Sequence, residues 1–259
     1  MNSSSKNSLC CIYAYFEKDS SYSNNLQYFV NNAILDNVDY YIVINGPKCS
    51  VNLPIRENVK VLSRENKGFD FGAYCFALKN LVKEYDYLFF LNTSVCGPYL
   101  RENQTRPWTE YFLELFTDND VKVVGTSINI CTINNNLLQS LYQKDSPYSH
   151  VQSMFFCIDN EYLQFLNKHE FFNEDEMNKE SEIWNIILKK EIGLSQIAIK
   201  NGWNINSILS KYRGLDYRTI NYNINGSAAQ YSGDPYFRNT YFGETIDKYD
   251  AIFLKNNRF

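Results

Sequence analysis

Residues 65–74 read ENKGFDFGAY, and Asn92-Thr93-Ser94 closes the apolar run from Tyr87 to Leu91. Gly68 permits a tight bend just ahead of a helical run. A chain bent in that way can bring its backbone close to a nucleotide, because the amides that open a helix favour anionic oxygens. The second stretch is a buried strand whose carboxyl end would hold small polar side chains towards a diphosphate. Asn66 and Gly68 would shape the loop against the nucleotide; an ordinary strand-to-helix turn is the alternative for both. Asp70 can hydrogen-bond nucleoside or sugar hydroxyls, or cap the helix that follows it. Asn92 and Ser94 belong at the same crevice because the strand ends there. Tyr13 and Tyr15 alternate on an earlier strand, where one could stack on a base; otherwise both are core. His150, one of two histidines, can bind an acceptor or take up a proton near neutral pH, or be a satisfied structural residue. The other, His169, is expected to face solvent.

Hydrophobic periodicity supplies the elements that would position these side chains. Residues 9–16 form a first, central strand, 24–35 an amphipathic helix, 40–45 and 59–63 two further strands, 71–81 a helix and 87–91 a fourth strand. That succession predicts an α/β fold with a mainly parallel sheet and helices on both faces. Ligands of such sheets sit at the carboxyl ends of the strands, which gathers Tyr15, Asn45, Asn66 and Asn92 around one crevice. The second half is less regular. Helices are expected at 107–116, 137–142, 161–166, 179–190 and 194–200, strands at 121–125 and 151–158, and an apolar patch at 251–254. No repeat or linker divides the chain. One domain is expected over residues 9–259, with a nucleotide-binding half (9–98) and an acceptor half with a C-terminal segment (99–259). Residues 1–8 are expected to be a frayed polar tail.

Composition narrows the function classes. A formal charge of −4 argues against a nucleic-acid partner, which would want a basic stripe. No segment approaches 18 consecutive apolar residues, so no membrane span is expected, and the apolar run after the tail has strand length rather than that of a signal peptide. Seven cysteines without a C-x-x-C pair, beside only two histidines, make zinc unattractive and suggest reduced, buried thiols in a cytoplasmic compartment. Cys96 is read as a packing residue. The 21 Tyr and 18 Phe suit packing against sugar rings, although a compositional bias shared with Asn, Lys and Ile accounts for them as well. No G-x-G-x-x-G turn follows the first strand, which places a dinucleotide-dependent oxidoreductase well behind.

Read in order, these elements resemble the GT-A glycosyltransferases, in which an Asn-x-Gly turn, a helix, a strand closed by Asp-x-Asp and a later acidic pair follow one another. Asn66-Lys67-Gly68, the helix from Phe71, the strand to Leu91 and Glu180-Ser181-Glu182 hold those places. The blocks at 65–72, 90–98, 125–127, 150–153 and 253–258 further resemble a little-characterised group of glycosyltransferase-like proteins that is distantly similar to rhamnan-synthesis proteins. Their order and spacing carry the resemblance more than any one block does. It implies a nucleotide-diphosphate sugar as co-substrate, a carbohydrate acceptor and transfer of a hexosyl or deoxyhexosyl unit, with inversion favoured. It also implies that Asn45 stands where an Asp often reads the base edge; an Asn offers both donor and acceptor, so the choice of base stays open.

Under the same resemblance Glu182 is the first choice for the carboxylate base and Glu180 the second, with Asp175 and His150 as alternatives and Gln152 and Ser153 beside the acceptor. A helix N-terminus favours Glu on its own account and lowers its basicity. One departure stands out. Asn92-Thr93-Ser94 replaces Asp-x-Asp, and neutral oxygens are weak ligands for Mn or Mg. No metal residue is assigned; Lys255 and Arg258 would instead neutralise the leaving diphosphate. A degenerate scaffold acting as a carbohydrate-binding or assembly subunit is the rival reading.

Overall fold

Residues 9–15 are apolar and wholly buried, as a strand covered on both faces requires. They form β1 (Leu9–Tyr15) at the centre of the protein, whose computed structural model describes residues 7–117 and 120–255. The first half continues with α1 (Ser20–Asn32), β2 (Val38–Asn45), β3 (Val59–Arg64), α2 (Phe69–Lys79), β4 (Tyr87–Asn92) and β5 (Val95–Cys96). There follow α3 (Trp108–Leu113), β6 (Val121–Gly125), β7 (Ile128–Cys131), α4 (Asn136–Tyr142), β8 (Tyr148–Val151), β9 (Phe155–Asp159), α5 (Asn160–Lys168) and α6 (Glu174–Met177). The chain then runs through α7 (Ile183–Ile186), a π-helical segment (Ile187–Glu191), α8 (Ile192–Lys200), β10 (Asn204–Ser207), α9 (Lys248–Ala251) and β11 (Leu254–Lys255).

Seven strands make one sheet in the order β10-β6-β9-β4-β1-β2-β3. β1 pairs in parallel with both β2 and β4, as do β2 with β3 and β6 with β10; β9 alone runs antiparallel, inserted between β4 and β6. The mainly parallel α/β class read from the sequence is the one observed. Because β2 and β3 step outward on one side of β1 and β4 lies on the other, the chain reverses direction across the β1/β4 seam. An α/β sheet opens a crevice at such a seam, outside the strands' carboxyl ends. Ala14 faces Asn92 across it.

Three elements differ from their sequence reading. α1 begins at Ser20 rather than near residue 24, because the Asp19 side chain caps it by accepting from Ser21 N at 2.9 Å; the polar Ser20–Ser23 turn carries no apolar period. The strand expected at 151–158 is two strands, β8 and β9, split by a turn at residues 152–154. β8 leaves the main sheet to pair with β7. The helices expected at 179–190 and 194–200 are one run from Ile183 to Lys200, with the π segment inside it.

Aromatic rings fill the core. Phe90 stacks on Phe156 at 4.6 Å, and Phe253 stacks on Phe155 at 4.4 Å and meets Trp108 edge-on at 5.2 Å. Phe253 thereby anchors the C-terminal segment. β11 then pairs with β5, setting Lys255 opposite Val95 and Leu254 opposite the buried Cys96. At the other end, Ser8 N and Oγ donate to Asp86 Oδ2 at 2.7 and 2.9 Å; residues 1–6 of the expected tail lie outside the described residues. Among the described residues no helix is long and apolar enough to cross a membrane, and the seven cysteines form no disulfide.

Candidate active site

The β1/β4 seam opens into a crevice of about 470 Å³. The ends of β2 and β4, the loop into α2, the turn between β8 and β9, and β11 bring Asn45, Asn66, Asp70, Asn92, Ser94, Gln152, Ser153 and Lys255 to its wall, all of them residues singled out by sequence. Thr93 ties the seam: its Oγ1 donates to Ala14 O at 3.0 Å and accepts from Phe16 N at 3.1 Å, and its carbonyl accepts from Asn25 Nδ2 at 2.8 Å. A larger hollow of about 700 Å³ lies at the opposite end of the sheet. There Arg56 pairs with Asp36 at 3.4 Å and Lys83 with Asp39 at 2.9 Å. These ion pairs, and a place away from the strands' carboxyl ends, make it the poorer candidate.

Polar groups on the crevice floor are mutually held. Asp70 Oδ2 accepts from Asn92 Nδ2 at 2.7 Å and Asp70 Oδ1 from Phe71 N at 3.0 Å. Asn92 Oδ1 in turn accepts from Ser94 N at 3.0 Å and Ser94 Oγ at 2.6 Å. Burial pushes the Asp70 carboxyl up, and the negative Glu191 adds to that, against the bonds from Asn92 and Phe71. Gln152 Oε1 accepts from Ser127 Oγ at 2.7 Å.

Glu191 is the residue that sequence reasoning missed. It closes the π segment and lines the crevice, and such one-turn expansions of a helix recur at functional sites. Its Oε2 accepts from Ser153 N at 3.2 Å and from Ser153 Oγ; its Oε1 lies 3.6 Å from His150 Nε2. His150 Nδ1 is 2.9 Å from Tyr148 O. A carbonyl only accepts, so Nδ1 carries a proton and Nε2 is the nitrogen turned to the carboxylate. Burial works against a charge on Glu191, but His150, Ser153 and Lys255 outweigh it and hold the carboxyl down at about 2. Burial lowers the Lys255 ammonium, with Glu191 and Asp70 opposing.

A folded pKa of about 2 against an ordinary 4.5 means that stabilisation by ionised Glu191 is complete above about pH 4.5 and is lost as the pH falls towards 2. Glu191→Gln should therefore flatten the acid limb of a curve of Tm against pH over that interval. An acid limb identical to the parent's would show that the carboxylate contributes nothing there.

Several expected site residues stand elsewhere. Tyr13 and Tyr15 are core: Tyr13 packs on Phe29 at 4.8 Å, and the Tyr15 hydroxyl donates to Glu17 Oε2 at 2.7 Å. Gly68 has φ +67°, and a Cβ there would collide with Met177 O, so its close approach is to the end of α6 rather than to the crevice. Glu180 and Glu182 precede α7 and are absent from the lining; the helix face that reaches in carries Ile183, Ile186 and Ile187. Glu180 Oε1 accepts from Glu182 N at 2.9 Å, a local turn bond. His150, 2% exposed, reaches the crevice only through Glu191. Asp175 is exposed in α6. Arg258 lies outside the described residues. Phe16 and Phe69, unassigned from sequence, form an aromatic rim.

Among the described residues no group of three or more His, Cys, Asp or Glu could hold a metal ion. The crevice donors fit a hard divalent cation poorly: Asn92 Oδ1 already accepts two hydrogen bonds, and the Lys255 charge already interacts with Asp70 and Glu191.

A parallel-rich sheet with this strand order and a polar crevice at its seam defines an α/β protein with the crevice where sheets of this class bind their ligands. A family model described as rhamnan synthesis protein F matches residues 55–230, most of the chain, and the chain belongs to that family. Solved structures similar in outline include a mannosyltransferase from Pyrobaculum calidifontis in complex with GDP-mannose and Mn2+, at 10% identity and a TM-score of 0.38, over 63% of this chain and 47% of that one. This chain thus spans about half the mannosyltransferase's length. Another is a glycosyltransferase involved in glycosylation of the major capsid of PBCV-1, at 10% identity and a TM-score of 0.38, over 70% of this chain and 74% of that one. Neither likeness bears on what this chain binds. No curated protein matches.

Proposed function

We propose that this protein is a glycosyltransferase of polysaccharide synthesis. It moves a hexosyl or deoxyhexosyl unit from a nucleotide-diphosphate sugar to a carbohydrate hydroxyl, with inversion and without a metal ion. The observation that carries the reading is the convergence of Asp70, Asn92, Glu191 and Lys255 on one crevice at the sheet's seam. Asp70, whose carboxyl is pushed up, takes the acceptor's hydroxyl proton as that oxygen attacks the anomeric carbon. The bond from that carbon to the phosphate oxygen breaks, and the diphosphate leaves with the electron pair. Lys255 meets the charge that develops on it. Glu191 stays ionised, holds Ser153 in place, attracts the Lys255 charge, and faces the positive charge that gathers on the sugar ring. Ile183, Ile186 and Ile187 give the acceptor side an apolar wall. The free thiols support a cytoplasmic setting.

Calorimetric titration with uridine, guanosine and thymidine diphosphates tests this reading. At least one should bind with an affinity indifferent to manganese, and Lys255→Met should weaken it roughly ten- to a hundredfold, the value of one charge-assisted hydrogen bond. Binding that requires manganese and ignores the lysine would overturn the metal-free mechanism. A catalytically degenerate, carbohydrate-binding scaffold is the second reading, favoured by the neutral Asn92-Thr93-Ser94. Slow donor hydrolysis by the pure protein, lost in Asp70→Asn, excludes it.

A further inference from the structure

The chain has three tryptophans, and two of them are spoken for. Trp108 is buried and its Nε1 donates to Ala33 O at 2.9 Å. Trp203 meets the Tyr162 and Phe165 rings edge-on at 5.5 and 5.0 Å. Trp184, in α7, is 60% exposed and has no such bond or ring partner among the described residues. A large aromatic ring left open to water beside a crevice marks a contact surface.

Its place in the helix continues the crevice wall. Ile183, just before it, lines the crevice while remaining exposed, and Ile187 lines it one turn on. Ile187 N donates to Trp184 O, so the turn between them is closed. Residues three apart on a helix hold their Cβ atoms about 5–6 Å apart, roughly the length of one pyranose unit. Trp184 itself is outside the lining, one such step beyond the apolar wall. Around α7, Glu180 and Glu182 balance Lys179 and Lys189, so this face holds no excess positive charge for a phosphate or an anionic lipid.

We propose that Trp184 is the platform on which the acceptor's second sugar stacks, so that the accepting hydroxyl belongs to a neutral glycan of at least two units. This role rests on the transferase reading above and adds the size and charge class of the acceptor. The C–H face of a pyranose is apolar and slightly positive, and the negative face of an indole attracts it. Two exposed side chains fall far short of the roughly 800 Å² per partner that a stable protein–protein interface buries. One sugar ring needs only the face of one indole.

Titration of the full chain with the methyl glycosides and the homodisaccharides of glucose, galactose, mannose and rhamnose tests it, with uridine, guanosine and thymidine diphosphates measured alongside. At least one disaccharide should shield the exposed indole from acrylamide quenching and bind about tenfold tighter than its methyl glycoside. Trp184→Ala should bring that ratio to about one by calorimetry, with Tm close to the parent's because the side chain is exposed, and Trp184→Phe should recover part of it. A ratio unchanged in Trp184→Ala, or nucleotide binding with no disaccharide binding, would overturn the platform and leave the donor site standing. Trp184 fluorescence that responds to phosphatidylglycerol vesicles and to no disaccharide would assign the face to a membrane surface and overturn it as well. No binding of any nucleotide diphosphate would remove the transferase reading and the platform with it.

Discussion

Asp70→Asn is expected to lower sugar transfer by roughly 10²–10⁴-fold, the usual contribution of a positioned base, while leaving Tm at or above the parent's. Both halves follow from the same environment. Burial, reinforced by Glu191, disfavours the ionised carboxylate, so the native state binds this proton more tightly than the unfolded chain does. Stability then falls as the pH rises through the window between the unfolded and folded pKa values. At neutral pH the charge on Asp70 costs the fold something that the neutral amide does not. Active sites commonly hold such groups against the interest of stability. Parent-like transfer by Asp70→Asn together with a dead Glu191→Gln would hand the role of base to Glu191 and refute the assignment.

Phe253→Ala is expected to cost about 3–5 kcal/mol, as deleting a buried aromatic side chain does, and to lower Tm by roughly 10 °C for a chain of this length. Phe253 is fully buried among Phe155, Trp108, Phe112 and Phe29. It stands two residues before Lys255, and the packing it supplies pins β11 against β5. Its loss should loosen the ammonium at the crevice, so the KM for the donor should rise along with the fall in Tm. Phe253→Leu, which keeps most of the apolar volume, should recover much of both. A large loss of stability with an unchanged donor KM, measured below the variant's melting range, would separate the anchor from the site.

The donor half of the site was legible in the chain because its residues are near in sequence to features with local physical meaning. Asp70 opens a helix after a glycine bend, and Asn92 ends an apolar strand; each position follows from periodicity and turn chemistry alone. The second carboxylate was not legible. Glu191 sits at the end of Lys189-Lys190-Glu191, where a charge reads as the solvated face of a helix. Only the π segment turns it into the crevice, and a helical expansion of that kind leaves no period to find. The one available signal was an acid directly abutting the apolar run Ile192-Gly193-Leu194. Glu180 and Glu182 had the better pattern and the poorer place, since the side chains that reach the crevice from α7 are isoleucines.

By itself the sequence determined the mainly parallel sheet and the residues at its strand ends, because apolar runs and turns are set by neighbours along the chain. Tertiary structure decided the rest. It brought Lys255 across through β11, turned the Asn45 amide by way of Arg64, and set His150 and Ser153 on Glu191. Those contacts join residues 19 to more than 180 positions apart, and their charges and orientations depend on burial and on partners that no local pattern encodes.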